Sequence, residues 1–203
     1  MAVKDHSLDL KIIESAKNEF LQYGFQKASL HKIASQAGIT TGALYTRYKN
    51  KDALFCSLVQ DMFQSMQEKA APVRDLYYTV MKNRDITLFL EAMHDEMRIY
   101  LDVLFEHYDS CILFFCKSGG SSLEKLLREM MESKAKETVQ FLSTISDHEI
   151  DQDGIELIMA NQFHFYKMVL EKKYTREKAA SCLKTYEIFA EAGWKNIFTQ
   201  VIR

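Results

Sequence analysis

Proline is almost missing from this chain: Pro72 stands alone among 203 residues, and only seven glycines accompany it. So few chain breakers, set among plentiful Leu, Ala, Lys, Glu and Met, disfavour a turn-rich β fold and favour helices throughout. No stretch alternates apolar and polar residues as a half-buried strand does. The longest apolar run, Cys111 to Cys116, is far too short for a bilayer, and the opening MAVKDHSLDLK has no apolar signal core. A cytoplasmic protein without membrane attachment is therefore expected. The four cysteines, at positions 56, 111, 116 and 182, lie within apolar patterns and read as reduced core residues. No GxSxG, HExxH or paired-cysteine motif occurs, so the expectation is a protein that is not an enzyme, with no metal and no cofactor.

Charge is nearly balanced overall, at −2, but unevenly spread. Residues 1 to 60 carry seven Lys and one Arg against three Asp and two Glu, a net of +3, which leaves −5 for the rest. The first quarter is the basic end.

Apolar spacing then gives the helices. Leu8, Ile12, Ile13, Ala16 and Phe20 form one stripe, with Ser7 placed to cap its start and Gly24 to end it. Leu30, Ile33, Ala34 and Ala37 mark a short second helix after the N-cap candidate Ser29, closed by Gly38. A third begins at Thr40. Asn50 offers an N-cap to a fourth, with Asp52 in its first turn, and Leu54, Leu58, Met62 and Met66 carry that helix towards Pro72. Ile33 and Ala34 can pack against Leu44 and Tyr48 across the tight turn at Gly38, which is a helix-turn-helix. The same geometry leaves Thr40, Thr41, Gly42, Tyr45, Thr46 and Arg47 outside, with Lys51 beyond them. Hydroxyls, a side-chain-free position and cations suit phosphates and base edges.

Residues 11 to 58 resemble the DNA-binding domain of the TetR/AcrR transcriptional regulators. The resemblance rests on Ala16, Phe20 and Gly24 and then on SLHKIASQAGITTGALYTRYKNKDALF, where Gly38 to Leu54 follow the family order G-[IV]-[ST]-x-G-x-[LIF]-Y-x-[HRY]-[FY]-x-x-K-[DE]-x-L. It implies an all-α fold with an N-terminal three-helix helix-turn-helix domain, residues 1–52, and a C-terminal helical effector-binding and dimerisation domain, residues 53–203. It further implies a bacterial homodimeric regulator, a repressor released from a palindromic operator on double-stranded DNA by a small apolar effector. By position, Thr40, Thr41, Gly42, Tyr45, Thr46 and Arg47 would lie at the DNA, Ser29 and His31 would reach it from the second helix, and Lys51 would hold phosphate. Arg47 stands where His is commoner in the family. A TetR-like adaptor that works through a protein partner without a ligand is the alternative.

Past Pro72 the helical segments lengthen: one from Ile86, a short one around Cys111 to Cys116, one from Ser121 to about Leu142 with Ser121 and Glu124 at capping-box spacing, then Gly154 to Lys173 and Thr175 to about Val201. The stretch Ile155 to Leu170 is apolar around most of its circumference and, together with Thr175 to Val201, suits a four-helix interface between two copies. Met93, His94, Met97, Tyr100, Cys111, Phe115 and Phe163 are candidates to line an adaptable apolar cavity, although such a stripe also suits plain core. The run EIDQDG spaces carboxylates like a calcium loop but places Glu156 and Ala160 wrongly for one. His107 with Cys111, and His164 with Met168, share helical faces without making a zinc site.

Overall fold

The structure, a computed structural model, describes residues 6–83, 85–146 and 149–201, with the side chains of residues 6, 7, 78, 81, 82 and 201 left aside. The cap expected from Ser7 therefore lies outside the described side chains. Among the described residues the chain forms ten helices and no strand: α1 (His6–Lys27), α2 (Leu30–Gln36), α3 (Thr41–Tyr45), α4 (Lys51–Ser57), α5 (Gln60–Asn83), α6 (Ile86–Glu106), α7 (Tyr108–Cys116), α8 (Ser122–Ile145), α9 (Gln152–Glu171) and α10 (Arg176–Val201). The all-α expectation holds. None of these helices is long and apolar enough to cross a membrane.

The chain divides into two compact units. One runs through Phe63 and takes in His107–Leu127; the other comprises Gln64–Glu106 and the chain from Arg128 onward. The division falls inside α5 and α8, and α7 packs with the amino-terminal helices.

In the amino-terminal unit the core is made by Ile12, Ala16 and Phe20 of α1, Ile33 and Ala34 of α2, Leu44 of α3, and Leu54 and Phe55 of α4, all of them buried. The Phe20 and Phe55 rings meet edge to face at 4.8 Å, and Phe25 lies 5.2 Å from Phe55. Such ring geometry adds to simple burial. Gly24 sits at φ 73 and breaks the direction of α1, so the Phe25 N–H leaves the helix and donates to the Lys117 carbonyl at 2.9 Å. An L side chain at that φ would be strained.

Three expectations are corrected here. The helix read as one from Asn50 to Pro72 is two, because α4 ends at Ser57 and α5 begins at Gln60. Pro72 is no terminus either: it lies within α5, which continues to Asn83. The missing proline N–H costs one backbone bond, but Val73 and Val80 beyond it are buried and hold the helix together. The capping box at α8 also differs. Ser121 Oγ accepts from the Leu123 amide at 3.2 Å, but Glu124 accepts from the Gly120 amide and not from that of Ser121, and the Ser122 amide donates to Asp52 of α4 at 2.8 Å, so a residue remote in sequence shares the capping of this helix start.

The second unit is organised around an aromatic cluster. Phe89 stacks on Phe141 at 5.0 Å and meets Phe198 and Trp194 edge-on at 5.3 and 5.7 Å. Tyr166 is buried and donates its hydroxyl to the Met97 carbonyl at 3.0 Å.

Candidate functional site

The helix-turn-helix forms at α2 and α3. Ser29 caps α2, accepting from the Lys32 amide, while its own N–H donates to buried Glu19 at 3.0 Å. Gly38, at φ 72, makes the turn, and the Ile39 amide returns to the Ala34 carbonyl at 2.9 Å. Thr40 then caps α3 by accepting from the Ala43 amide at 3.1 Å. Leu44 is buried beneath this short helix and Tyr48 is half-buried, the two positions assigned inward by the sequence.

On the outer side stand Thr40, Gly42, Tyr45, Thr46 and Arg47, with Thr41 half-buried and His31 exposed on α2. Tyr45 is 52% exposed, a large exposure for an aromatic ring. Thr46, Arg47 and Lys51 hold intramolecular partners. Thr46 Oγ1 donates to the Ala43 carbonyl at 2.7 Å. Arg47 donates through Nε to Asp9 Oδ1 at 3.0 Å and through Nη1 to the Ala43 carbonyl at 3.3 Å. Lys51 Nζ donates to the Gln26 carbonyl at 3.1 Å and lies 5.0 Å from the centre of the Phe25 ring. Partial burial lowers its pKa, against the pull of Glu19, and it braces the end of α1 as it stands.

The second unit contains a partly open cavity of about 530 Å³. Of the residues proposed from sequence, Met93, Tyr100 and Phe163 line it. The other four lie elsewhere. Met97 is buried with its carbonyl bound by Tyr166, and His94 is half-buried with Nε2 3.9 Å from Glu191. Cys111 and Phe115 belong to the amino-terminal unit, where Cys111 Sγ lies 3.4 Å from Met62 Sδ and Phe115 packs edge-on against Phe114. Burial pushes the Cys111 thiol up to about 12, as befits a core thiol and not a nucleophile.

Sequence reasoning missed the polar centre of that cavity. Glu96, 6% exposed, accepts from Lys134 Nζ at 2.8 Å and Tyr100 OH at 2.9 Å on one oxygen, and from Tyr77 OH at 3.2 Å on the other. Burial first, and the Glu96 charge second, push both phenols well above their ordinary range, so both remain protonated donors. A signal existed in the pattern. Glu96 falls between Met93 and Tyr100 on the apolar stripe of α6, where a carboxylate has no reason to sit unless it is paired.

The chain thus carries a helix-turn-helix with an exposed phenol on α3 and, in its second unit, a cavity with a polar centre. Residues 12–58, about a quarter of the chain, match the family model described as bacterial regulatory proteins, tetR family. It is 33% identical over 66 residues to the uncharacterized HTH-type transcriptional regulator YhgD of Bacillus subtilis, a match covering 32% of this chain and 35% of that one. It is 30% identical over 61 residues to the HTH-type transcriptional repressor Rv1474c of Mycobacterium tuberculosis, covering 30% and 33%. The matched part thus spans about a third of the length of these relatives. Beyond it the likeness is one of fold: a TetR-like transcriptional regulator from Rhodococcus sp. RHA1 superposes with a TM-score of 0.63 at 19% identity, covering 94% of this chain and 99% of the other.

Proposed function

We propose that the protein is a homodimeric transcriptional repressor that grips a palindromic operator through α2 and α3 and releases it when a small, mostly apolar molecule fills the cavity of the second unit. The observation that carries the DNA-binding reading is the exposed surface of α3 within the matched segment, with Tyr45 outward and Thr40, Gly42, Thr46 and Arg47 around it. Ser29, His31, Thr41 and Lys51 complete the assigned contact set. A chain similar to a named repressor over this segment supports the direction of control.

Dimerisation through the last two helices is supported by their exposed apolar side chains. Leu157 of α9 and Ile188 and Phe189 of α10 are 69%, 72% and 75% exposed, more than a solitary subunit gains from leaving in water. The cavity favours a ligand-responsive regulator over an adaptor acting through a protein partner, for which a filled interior would serve equally well. A coupling of about 1 to 3 kcal/mol between cavity and operator corresponds to roughly 5- to 150-fold in affinity.

The test is a gel shift against fragments selected from bacterial genomic DNA, repeated across a salt series. Binding that weakens steeply with salt, and that is lost when Tyr45 and Lys51 are both changed to Ala, is expected. Binding of the double variant at full strength would refute the assigned contact surface, and sedimentation of the wild type as a monomer would refute the dimer.

A further inference from the structure

The cavity has a definite charge composition. Two carboxylates, Glu96 and Glu137, and two cations, Lys134 and Arg74, border it, so the lining is electrically balanced. Their situations differ. Arg74 and Glu137 are exposed, and Glu137 accepts from the Ser133 hydroxyl at 3.3 Å. Glu96 and Lys134 lie within, beside Tyr77 and Tyr100 and close to the aromatic wall of Phe89, Phe141 and Trp194.

Glu96 is already well supplied with donors. Three donors converge on its two oxygens, one of them the Lys134 ammonium, so a cationic ligand would gain a carboxylate only by displacing a cation already in place. Lys134 is the reverse. An ammonium carries three N–H donors. Lys134 gives one to Glu96 and rests its head 4.2 Å from the centre of the Tyr77 ring, which leaves donor capacity at the cavity lining. A second carboxylate brought to that ammonium would lie next to Glu96, and like charges in a poorly solvated site repel strongly. A carbonyl oxygen meets the N–H without adding charge.

Resting on the reading of this cavity as the effector site, we propose that it selects an uncharged, mostly apolar molecule bearing a carbonyl-type acceptor, whose oxygen accepts from Lys134 while its apolar body lies against Phe89, Phe141 and Trp194. Glu96 is then a specificity-determining residue. It sets the charge the cavity tolerates by neutralising Lys134, and Tyr77 and Tyr100 hold it in the orientation that does so.

The test uses one carbon skeleton with three ends, phenylbutanamide, phenylbutanoate and phenylbutylammonium, titrated by calorimetry into the full-length protein at neutral pH. The amide is expected to bind about tenfold or more tighter than either ion. Glu96→Gln leaves Lys134 uncompensated and is expected to transfer the preference to the carboxylate. Lys134→Met leaves Glu96 uncompensated and is expected to transfer it to the ammonium. Because each protein is judged by its ranking of the three probes, with folding checked by circular dichroism, a general loss of stability does not imitate the result. If one variant fails to fold, the other and the wild-type ranking still decide. A wild type that prefers either ion, or variants that keep the wild-type ranking, overturns the proposal. Failure of all three probes to bind at millimolar concentration overturns it together with the reading of the cavity as an effector site, and leaves the DNA-binding assignment standing on the gel shift.

Discussion

The two units of this protein treat a carboxylate–cation pair in opposite ways. In the amino-terminal unit Arg47 meets Asp9 at 3.0 Å with about a quarter of each side chain open to solvent, whereas in the second unit Lys134 meets Glu96 at 2.8 Å where the carboxylate is almost wholly enclosed. The distances are nearly equal. The energetics are not, because water screens the first pair and is excluded from much of the second. The outer pair can be opened at small cost, which suits a cation needed by a phosphate. The inner pair resists opening because Glu96 would be left a buried charge held by the two phenols alone.

The widest separation between the two units is expected in alkali. Tyr77, Tyr100 and Tyr166 of the second unit all have phenols raised by burial. Below about pH 10 they are protonated folded or unfolded and impose no pH dependence; above it only the unfolded chain ionises. Each then withdraws up to about 1.4 kcal/mol per pH unit, roughly 4 kcal/mol per unit for three. Urea unfolding at successive pH values from 9 to 11.5 should reveal it, and phenylalanine at all three positions should flatten the profile. Cys111 of the amino-terminal unit begins to contribute nearer pH 9 and stops at about 12, a shallower loss.

Next in size is the inner pair itself. Lys134→Met should destabilise by about 3 kcal/mol, the lower end for breaking a buried pair, since two phenols still bind Glu96. Equilibrium denaturation measures it, and a loss below about 0.5 kcal/mol would place the pair in effective contact with water. Asp52→Ala should cost about 1 to 2 kcal/mol, because Asp52 accepts from both the amide and the hydroxyl of Ser122 at the start of α8. Protection of the first α8 amides in hydrogen exchange should fall with it.

The smallest stability effect belongs to the outer pair. Asp9→Asn should change stability by less than about 1 kcal/mol. Its effect on DNA should be larger in kind: with Arg47 released, operator affinity rises and the logarithmic salt slope steepens by about 1, the signature of one added phosphate contact. An unchanged slope would mean that Arg47 keeps Asp9 as its partner on DNA.

Much of the fold was legible because helices announce themselves through local spacing. The stripe from Ile12 to Phe20, the turn at Gly38 and the caps at Ser29 and Asn50 all stand in the structure where the residues placed them. Pro72 misled, since a proline signals a stop only when nothing beyond it is buried, and Val73 and Val80 are. Of the cavity, Met93, Tyr100 and Phe163 could be named from their apolar stripes, but Cys111 and Phe115 could not be excluded. Their helix, α7, is as apolar as α6, and no local pattern tells which core an apolar helix joins.

What the sequence determined by itself is therefore the local order: helical throughout, with a helix-turn-helix near its start and Thr40, Tyr45, Thr46 and Arg47 left outward on it, because periodicity, capping and turn chemistry act over a few residues. What tertiary structure alone decided is pairing at a distance. Arg47 found Asp9, Lys51 the Gln26 carbonyl, Ser122 the carboxylate of Asp52, and Glu96 the ammonium of Lys134 from another helix. The physical reason is that a polar group pairs with whatever the packed helices bring within about 3 Å, by necessity where it is buried as Glu96 is, and sequence spacing does not encode which helix that will be.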